Sequence, residues 1–127
     1  FFATVSGTLA DDLEAQILQF IRERPDTVLI AIDTFQMIRS NAGEPTYGGD
    51  YEEIQKLKRI ADSQRVAILL VHHLRKQRDR DPINKLSGTT GITGAVDTVF
   101  VLDKSRRRED SATLVCTGRD IEHRELE

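Results

Sequence analysis

The chain has 127 residues, of which 39% are hydrophobic and 31% charged, and its net charge is −3. This length suits one domain of an ordinary globular protein, and no apolar run approaches the roughly 20 residues that span a bilayer. A single cysteine excludes an internal disulfide, and the weakly acidic balance argues against a generally basic surface for nucleic acid.

The elements of the N-terminal half are predicted from hydrophobic periodicity. Residues 1–5 form a short apolar run that predicts a strand, and Thr8 with Asp11 forms a capping-box pattern that predicts the start of a helix. Apolar residues then recur at helical spacing until Pro25. Residues 28–32 are continuously aliphatic, which is typical of a strand buried on both faces.

The middle of the chain repeats this order of loop, helix and strand. Residues 39–49 contain three glycines and a proline and are predicted as a loop. Asp50, followed by Glu53, has the pattern of a helix N-cap, and residues 66–71 are again a buried strand. The buried face of that helix is predicted to consist of Tyr51, Ile54, Leu57 and Ala61.

Two further strands close the chain, at residues 98–102 and residues 112–117, and the second is predicted to pair antiparallel with the first. Strands alternating with helices through short connections indicate a parallel sheet. The predicted fold class is therefore α/β, a mainly parallel sheet flanked by helices with an antiparallel C-terminal addition.

Polar, ionisable residues follow the two central strands. Asp33 ends the first, directly before Thr34, and His72 and His73 end the second. Ligands of open α/β sheets bind beyond the carboxyl ends of the strands, where an acid can hold Mg²⁺ and an imidazole can contact a phosphate. The alternatives are that Asp33 only caps the segment after it and that the histidines are structural.

Only one of the two histidines can share a face with Asp33, because successive strand side chains point to opposite faces. A zinc site is disfavoured, since the other histidine, His123, is distant in sequence and the single thiol lies in a strand.

A basic loop follows the histidines and carries a local excess of three positive charges. Such a loop beside a phosphate site suits the backbone of a nucleic acid, although it lacks aromatic residues for base stacking. The alternative is a solvated charged loop. Its basic residues are Arg75, Lys76, Arg78, Arg80 and Lys85, set against Asp79 and Asp81.

A Walker A phosphate loop is missing from the sequence. Residues 87–94 are glycine-rich but lack its lysine, and the spacing match beginning at Gly43 has Gly49 and Asp50 where lysine and serine or threonine are required. Arg119 follows the last strand and suits an arginine finger that reaches a neighbouring subunit, or else a surface ion pair with Asp120 or Glu122.

In order and spacing these pieces resemble the C-terminal part of a RecA-like ATPase core, closest to plasmid RepA-type hexameric helicases and their phage and prophage AAA-type relatives. The resemblance runs from about Leu9 to Leu126. Its most specific segments are VLIAIDTF, YGGDYEEIQKLKRIAD, LLVHHLRK, LSGTTGITGAVDTVFVL and TLVCTGRDIE.

The resemblance implies roles for these residues. It implies that Asp33, with Thr34, is the Walker B site for Mg²⁺ and ATP, that His73 is the γ-phosphate sensor, and that Arg119 is the finger. In DnaB-type helicases a glutamine stands where His73 stands, which selects it over His72, whereas the lysine two residues before the finger is Thr117 here. The loops at 39–49 and 75–90 would then face single-stranded DNA.

The same resemblance implies that residues 1–127 are the C-terminal portion of one ATPase domain whose phosphate loop and catalytic glutamate lie upstream. We expect the parent protein to be a cytoplasmic ATP-dependent DNA helicase or related motor, a hexameric ring not bound to a membrane. The chain alone is then expected to be inactive. A recombinase-mediator-like DNA-binding protein and a non-catalytic oligomerisation module are the alternatives.

In such a sheet the missing strand lies between residues 66–71 and residues 98–102. We therefore expect open edges along these two strands, to be met by another chain or closed by direct pairing.

Overall fold

The structure, a computed structural model, describes residues 1–40, 47–73, 91–104 and 112–127. Its helices are α1 (Leu13–Glu23), α2 (Phe35–Ile38), α3 (Tyr47–Gln64) and α4 (Gly91–Ala95), and its strands are β1 (Leu29–Asp33), β2 (Ala67–Val71), β3 (Thr98–Asp103), β4 (Thr113–Gly118) and β5 (Arg124–Leu126). None of the described helices is long and apolar enough to cross a bilayer.

The parallel sheet pairs β1 with β2, in a register that runs from Leu29 opposite Ala67 to Asp33 opposite Val71. One face of this sheet packs against the core that the helices form, through Ile30, Ile32, Ile68 and Leu70. The other face is open, with Leu29 55% and Leu69 46% exposed. The prediction of strands buried on both faces is therefore wrong for the described part of the chain, because no described element covers this second face.

The second sheet has the order β3-β4-β5 and is antiparallel throughout. The predicted antiparallel pair is confirmed, with Thr98 opposite Gly118 and Asp103 opposite Thr113. β5 was not predicted, since its three residues are all exposed and form no apolar run.

The two sheets are separate, and a groove of about 720 Å³ lies between β2 and β3. Among the described residues β2 pairs only with β1, and β3 only with β4. The open edges are thus confirmed and direct closure of the gap is wrong, while pairing with another chain stays a prediction.

The N-terminal segment departs from the expected pattern. Residues 1–5 form no strand, and Phe1 and Phe2 are 97% and 92% exposed. The hydroxyl of Thr8 donates to Asp11 at 2.7 Å, but within a turn, and α1 begins later, at Leu13. The local contact is right and the helix start is not.

Helix α3 begins at Tyr47, before the predicted cap, so that Asp50 and Glu53 lie inside it. Both acids are buried, at 1% and 7% exposure, on the same stripe as Leu57 and Ile60. Steps of three and four residues join these four positions, which is the spacing of one helix face. The buried face was therefore predicted slightly off centre: Tyr51 is exposed and Ala61 half-buried.

Candidate nucleotide site

Asp33 is the last residue of β1, and its side chain is exposed. Within the described residues its carboxylate makes no hydrogen bond and no ion pair. Thr34 is the N-cap of α2 but forms no side-chain capping bond, and the Asp33–Thr34 peptide bond is cis. The alternative of a simple capping acid thus has no hydrogen bond in its favour in this part of the chain.

The two histidines lie directly after β2. Register partners in a sheet share a face, so Asp33 and Val71 point to the same side. The alternation then directs His72 to the opposite side, and His73 back to the side of Asp33. The burial agrees: His72 is half-buried and its ring lies 6.1 Å from that of Phe35, whereas His73 is exposed.

A buried ionic cluster lies below this edge of the sheet. Arg39, after α2, places Nη2 2.8 Å from Oδ1 of Asp50 and Nε 3.5 Å from Oε2 of Glu53, and its side chain is 7% exposed. The backbone N–H of Ser40 donates to Oε1 of Glu53 at 2.8 Å. These contacts tie the end of α2 to the first turns of α3. The buried ionic cluster was missed because Asp50 and Glu53 have the sequence pattern of a cap.

His72 lies beside the buried ionic cluster. Burial lowers the pKa of His72 below its ordinary value, an effect that the carboxylate of Asp50 opposes and the guanidinium of Arg39 reinforces. Its Nδ1 is buried and has no hydrogen-bond partner among the described residues. The arrangement therefore favours a neutral imidazole that is oriented toward the core.

Arg119 follows β4, 65% exposed at its side chain. Its backbone N–H donates to the carbonyl of Asp97 at 2.9 Å, and its Nη1 lies 3.8 Å from Oδ1 of the same residue. The other carboxylate oxygen of Asp97 accepts from Nζ of Lys58 at 2.7 Å. Neither predicted ion-pair partner, Asp120 or Glu122, contacts Arg119, and no sequence pattern pointed to Asp97.

The charges of this surface group influence one another. The hydrogen bond from Lys58 lowers the pKa of Asp97, and the same bond raises the pKa of Lys58. Both groups are therefore charged across the physiological range.

The predicted nucleic-acid residues lie outside the described residues, between positions 75 and 85. No group of three metal-ligating side chains occurs in the part of the chain that the structure describes. The residues that could hold Mg²⁺ are thus limited to Asp33, a single carboxylate, which suits coordination through water shared with a nucleotide.

Two comparisons with known proteins bear on this site. The sequence model of a family described as "AAA domain" matches residues 2–79. The structure superposes on a solved helicase ATPase domain with a TM-score of 0.75 and 17% sequence identity, covering 94% of this chain and 47% of that one. No curated protein matches.

The structural likeness extends over nearly the whole of this chain but about half the length of the other. At this sequence identity it shows the fold, which is that of part of a RecA-like ATPase domain. The predicted fold class is confirmed.

Proposed function

Because this chain belongs to the AAA domain family, we propose that it is the Walker B, sensor and arginine-finger half of a helicase-like ATPase. The parent protein then couples ATP hydrolysis to movement on single-stranded DNA, as a RepA-type hexameric ring. Its DNA-facing residues are those of the basic loop, Arg75, Lys76, Arg78, Arg80 and Lys85.

One observation carries this proposal: Asp33 and His73 follow adjacent parallel strands and share one face beyond their carboxyl ends. This edge is where α/β sheets bind nucleotides. Both side chains are exposed there, and Asp33 has no competing partner among the described residues. An acid without a structural partner at this position is available to a metal–nucleotide complex.

The chemistry divides between the residues. Bound Mg²⁺ neutralises charge on the β- and γ-phosphates of ATP, and Asp33, with Thr34 next to it, orients the water shell of the metal. His73 donates a hydrogen bond to the γ-phosphate and registers its loss at the start of the basic loop. Arg119 reaches the nucleotide of the next subunit, where a guanidinium stabilises the charge of the transition state.

The experiment that tests this proposal mixes two inactive variants of the full-length protein. Asp33→Ala removes the metal site within one subunit, and Arg119→Ala removes the group supplied to the next. Each variant alone is expected to lose about a thousandfold in kcat. Mixed oligomers regain part of the activity, because an intact Asp33 site can meet an intact Arg119 from a neighbour.

Arg124→Ala is the matched control, since Arg124 is an exposed arginine of the same sheet, with its side chain 68% exposed. It is expected to keep the wild-type kcat. Mixtures that stay inactive while both variants form normal oligomers contradict action in trans. Full activity of Asp33→Ala favours a non-catalytic module with a degenerate nucleotide site.

A further inference from the structure

Arg119 is held at both its backbone and its side chain by one residue, Asp97, in the turn between α4 and β3. The backbone contact is a hydrogen bond of 2.9 Å from the N–H of Arg119 to the Asp97 carbonyl, and the side-chain contact is an ion pair of 3.8 Å. The approach is close at the preceding residue as well. A Cβ on Gly118 would lie 2.6 Å from the same carbonyl oxygen, so the packing requires glycine there.

Asp97 is itself anchored by Lys58, in the middle of α3. Nζ of Lys58 lies 2.7 Å from Oδ2 of Asp97, while Oδ1 faces Arg119. One carboxylate thus joins two cations from different elements. Lys58 is further held by Asp62, 3.5 Å away one turn along the helix, so its position depends on a long, regular helix rather than on a loop.

The exposure of these groups argues that the contacts orient rather than stabilise. The side chains of Asp97 and Arg119 are 54% and 65% exposed, and ion pairs in such settings contribute little to the free energy of folding. Arginine has a long, flexible side chain, so a contact that restricts it reduces the entropy lost when it meets a phosphate. The 3.8 Å contact involves a single guanidinium nitrogen, Nη1. The opposite edge of the guanidinium stays available to an incoming phosphate oxygen.

We propose that Lys58 and Asp97 are positioning residues for Arg119, with Lys58 holding the carboxylate that sets the direction of the guanidinium. This inference rests on the proposed function of Arg119 as the group supplied to the next subunit. It adds a specific cause for the orientation of that group, which lies in helix α3 and the α4–β3 turn of the same chain.

The test measures ATP hydrolysis by the full-length protein. Asp97→Asn keeps the size of the side chain and removes its charge, and Lys58→Met removes the anchor. Both are expected to lower kcat about tenfold and leave KM for ATP within about twofold, because misorientation affects the transition state rather than substrate binding. Lys56→Met is the matched control, since Lys56 lies on the same helix but donates to the carbonyl of Leu9 at 2.9 Å. It is expected to keep kcat.

Two combined variants separate positioning from a structural tether. Asp97→Asn in an Arg119→Ala background is expected to cause no further loss of kcat, since both changes act through one guanidinium. Lys58→Glu combined with Asp97→Lys restores an attractive pair between α3 and the turn but sets a lysine against Arg119. This exchange is expected to recover the thermal midpoint and not kcat.

The outcomes distinguish this inference from the function on which it rests. Wild-type kcat in Arg119→Ala overturns the role of Arg119 and the inference with it. A large loss in Arg119→Ala, with wild-type kcat in Asp97→Asn, overturns only the inference. Recovery of kcat by the charge exchange, equal losses in Lys56→Met, or a rise of kcat in Asp97→Asn overturns it too.

Discussion

At the scale of single residues, two adjacent histidines have opposite environments. His72 turns toward Phe35 and the buried ionic cluster of Arg39, Asp50 and Glu53, whereas His73 stays exposed on the side of Asp33. The alternation of strand side chains is the physical cause. A structural imidazole and a candidate phosphate sensor are thereby separated by one peptide unit.

The burial of His72 predicts a pH dependence of stability. Its folded pKa lies below the ordinary 6.5, so protonation favours the unfolded chain. Stability is therefore full above pH 6.5 and is lost as the pH falls from there toward the lower folded pKa. Arg39 and Asp50 are the charged groups that face the ring. Urea unfolding of His72→Gln at about pH 7.5 and about pH 5.5 is expected to show a smaller decrease than wild type.

His73→Gln is the control for this measurement and is expected to keep the wild-type decrease, because His73 is exposed. An identical decrease in wild type and His72→Gln would contradict the prediction.

The buried ionic cluster predicts a large cost for removing its cation. Arg39→Met leaves Asp50 and Glu53 buried without their guanidinium, which is expected to lower the free energy of unfolding by about 3 kcal/mol. Arg124→Met removes an exposed arginine 3.7 Å from Glu122 and is expected to cost under about 0.5 kcal/mol. Denaturant unfolding measures both values, and equal costs would contradict a buried cluster.

At the scale of elements, α3 connects the two halves of the candidate site. Its first turns hold the residue after α2 through Asp50 and Glu53, and its middle holds the Asp97 turn through Lys58. Between these contacts its apolar side packs into the core, with Ile54, Leu57 and Ile60 nearly inaccessible. One helix thus relates the edge that carries Asp33 to the strand end that carries Arg119.

The packing of α3 and the openness of the parallel sheet predict unequal truncation costs. Leu57 is 2% exposed, so Leu57→Ala is expected to lower the free energy of unfolding by about 3 kcal/mol. Leu69 lies on the uncovered face at 46% exposure, and Leu69→Ala is expected to cost less than about 1 kcal/mol. Denaturant unfolding of the 127-residue chain gives both values. A larger cost at Leu69 would indicate that another element covers this face.

At the scale of the whole molecule, the groove between β2 and β3 separates Asp33 and His73 from the second sheet. The described chain supplies an acid, an imidazole and an arginine for phosphate chemistry but no backbone cradle for a triphosphate. Most of the binding energy for ATP in P-loop enzymes comes from such a cradle and its lysine.

The 127-residue chain by itself is therefore expected to neither hydrolyse ATP nor bind it tightly. A phosphate-release assay on the pure chain, compared with the full-length protein and its Asp33→Ala variant, is the measurement. Turnover above the level of the Asp33→Ala variant would contradict the expectation.

The sequence by itself determined the fold class, the central strands and the residues after them, because aliphatic runs and strand ends are local patterns. It misplaced the start of α3, since Asp50 and Glu53 are equally suited to a cap and to a buried partner of Arg39. Only the tertiary structure decided that partner, the uncovered sheet face, the separation of the two sheets and the contact of Asp97 with Arg119. Each of these joins residues that are distant along the chain, and their geometry is set by packing rather than by periodicity.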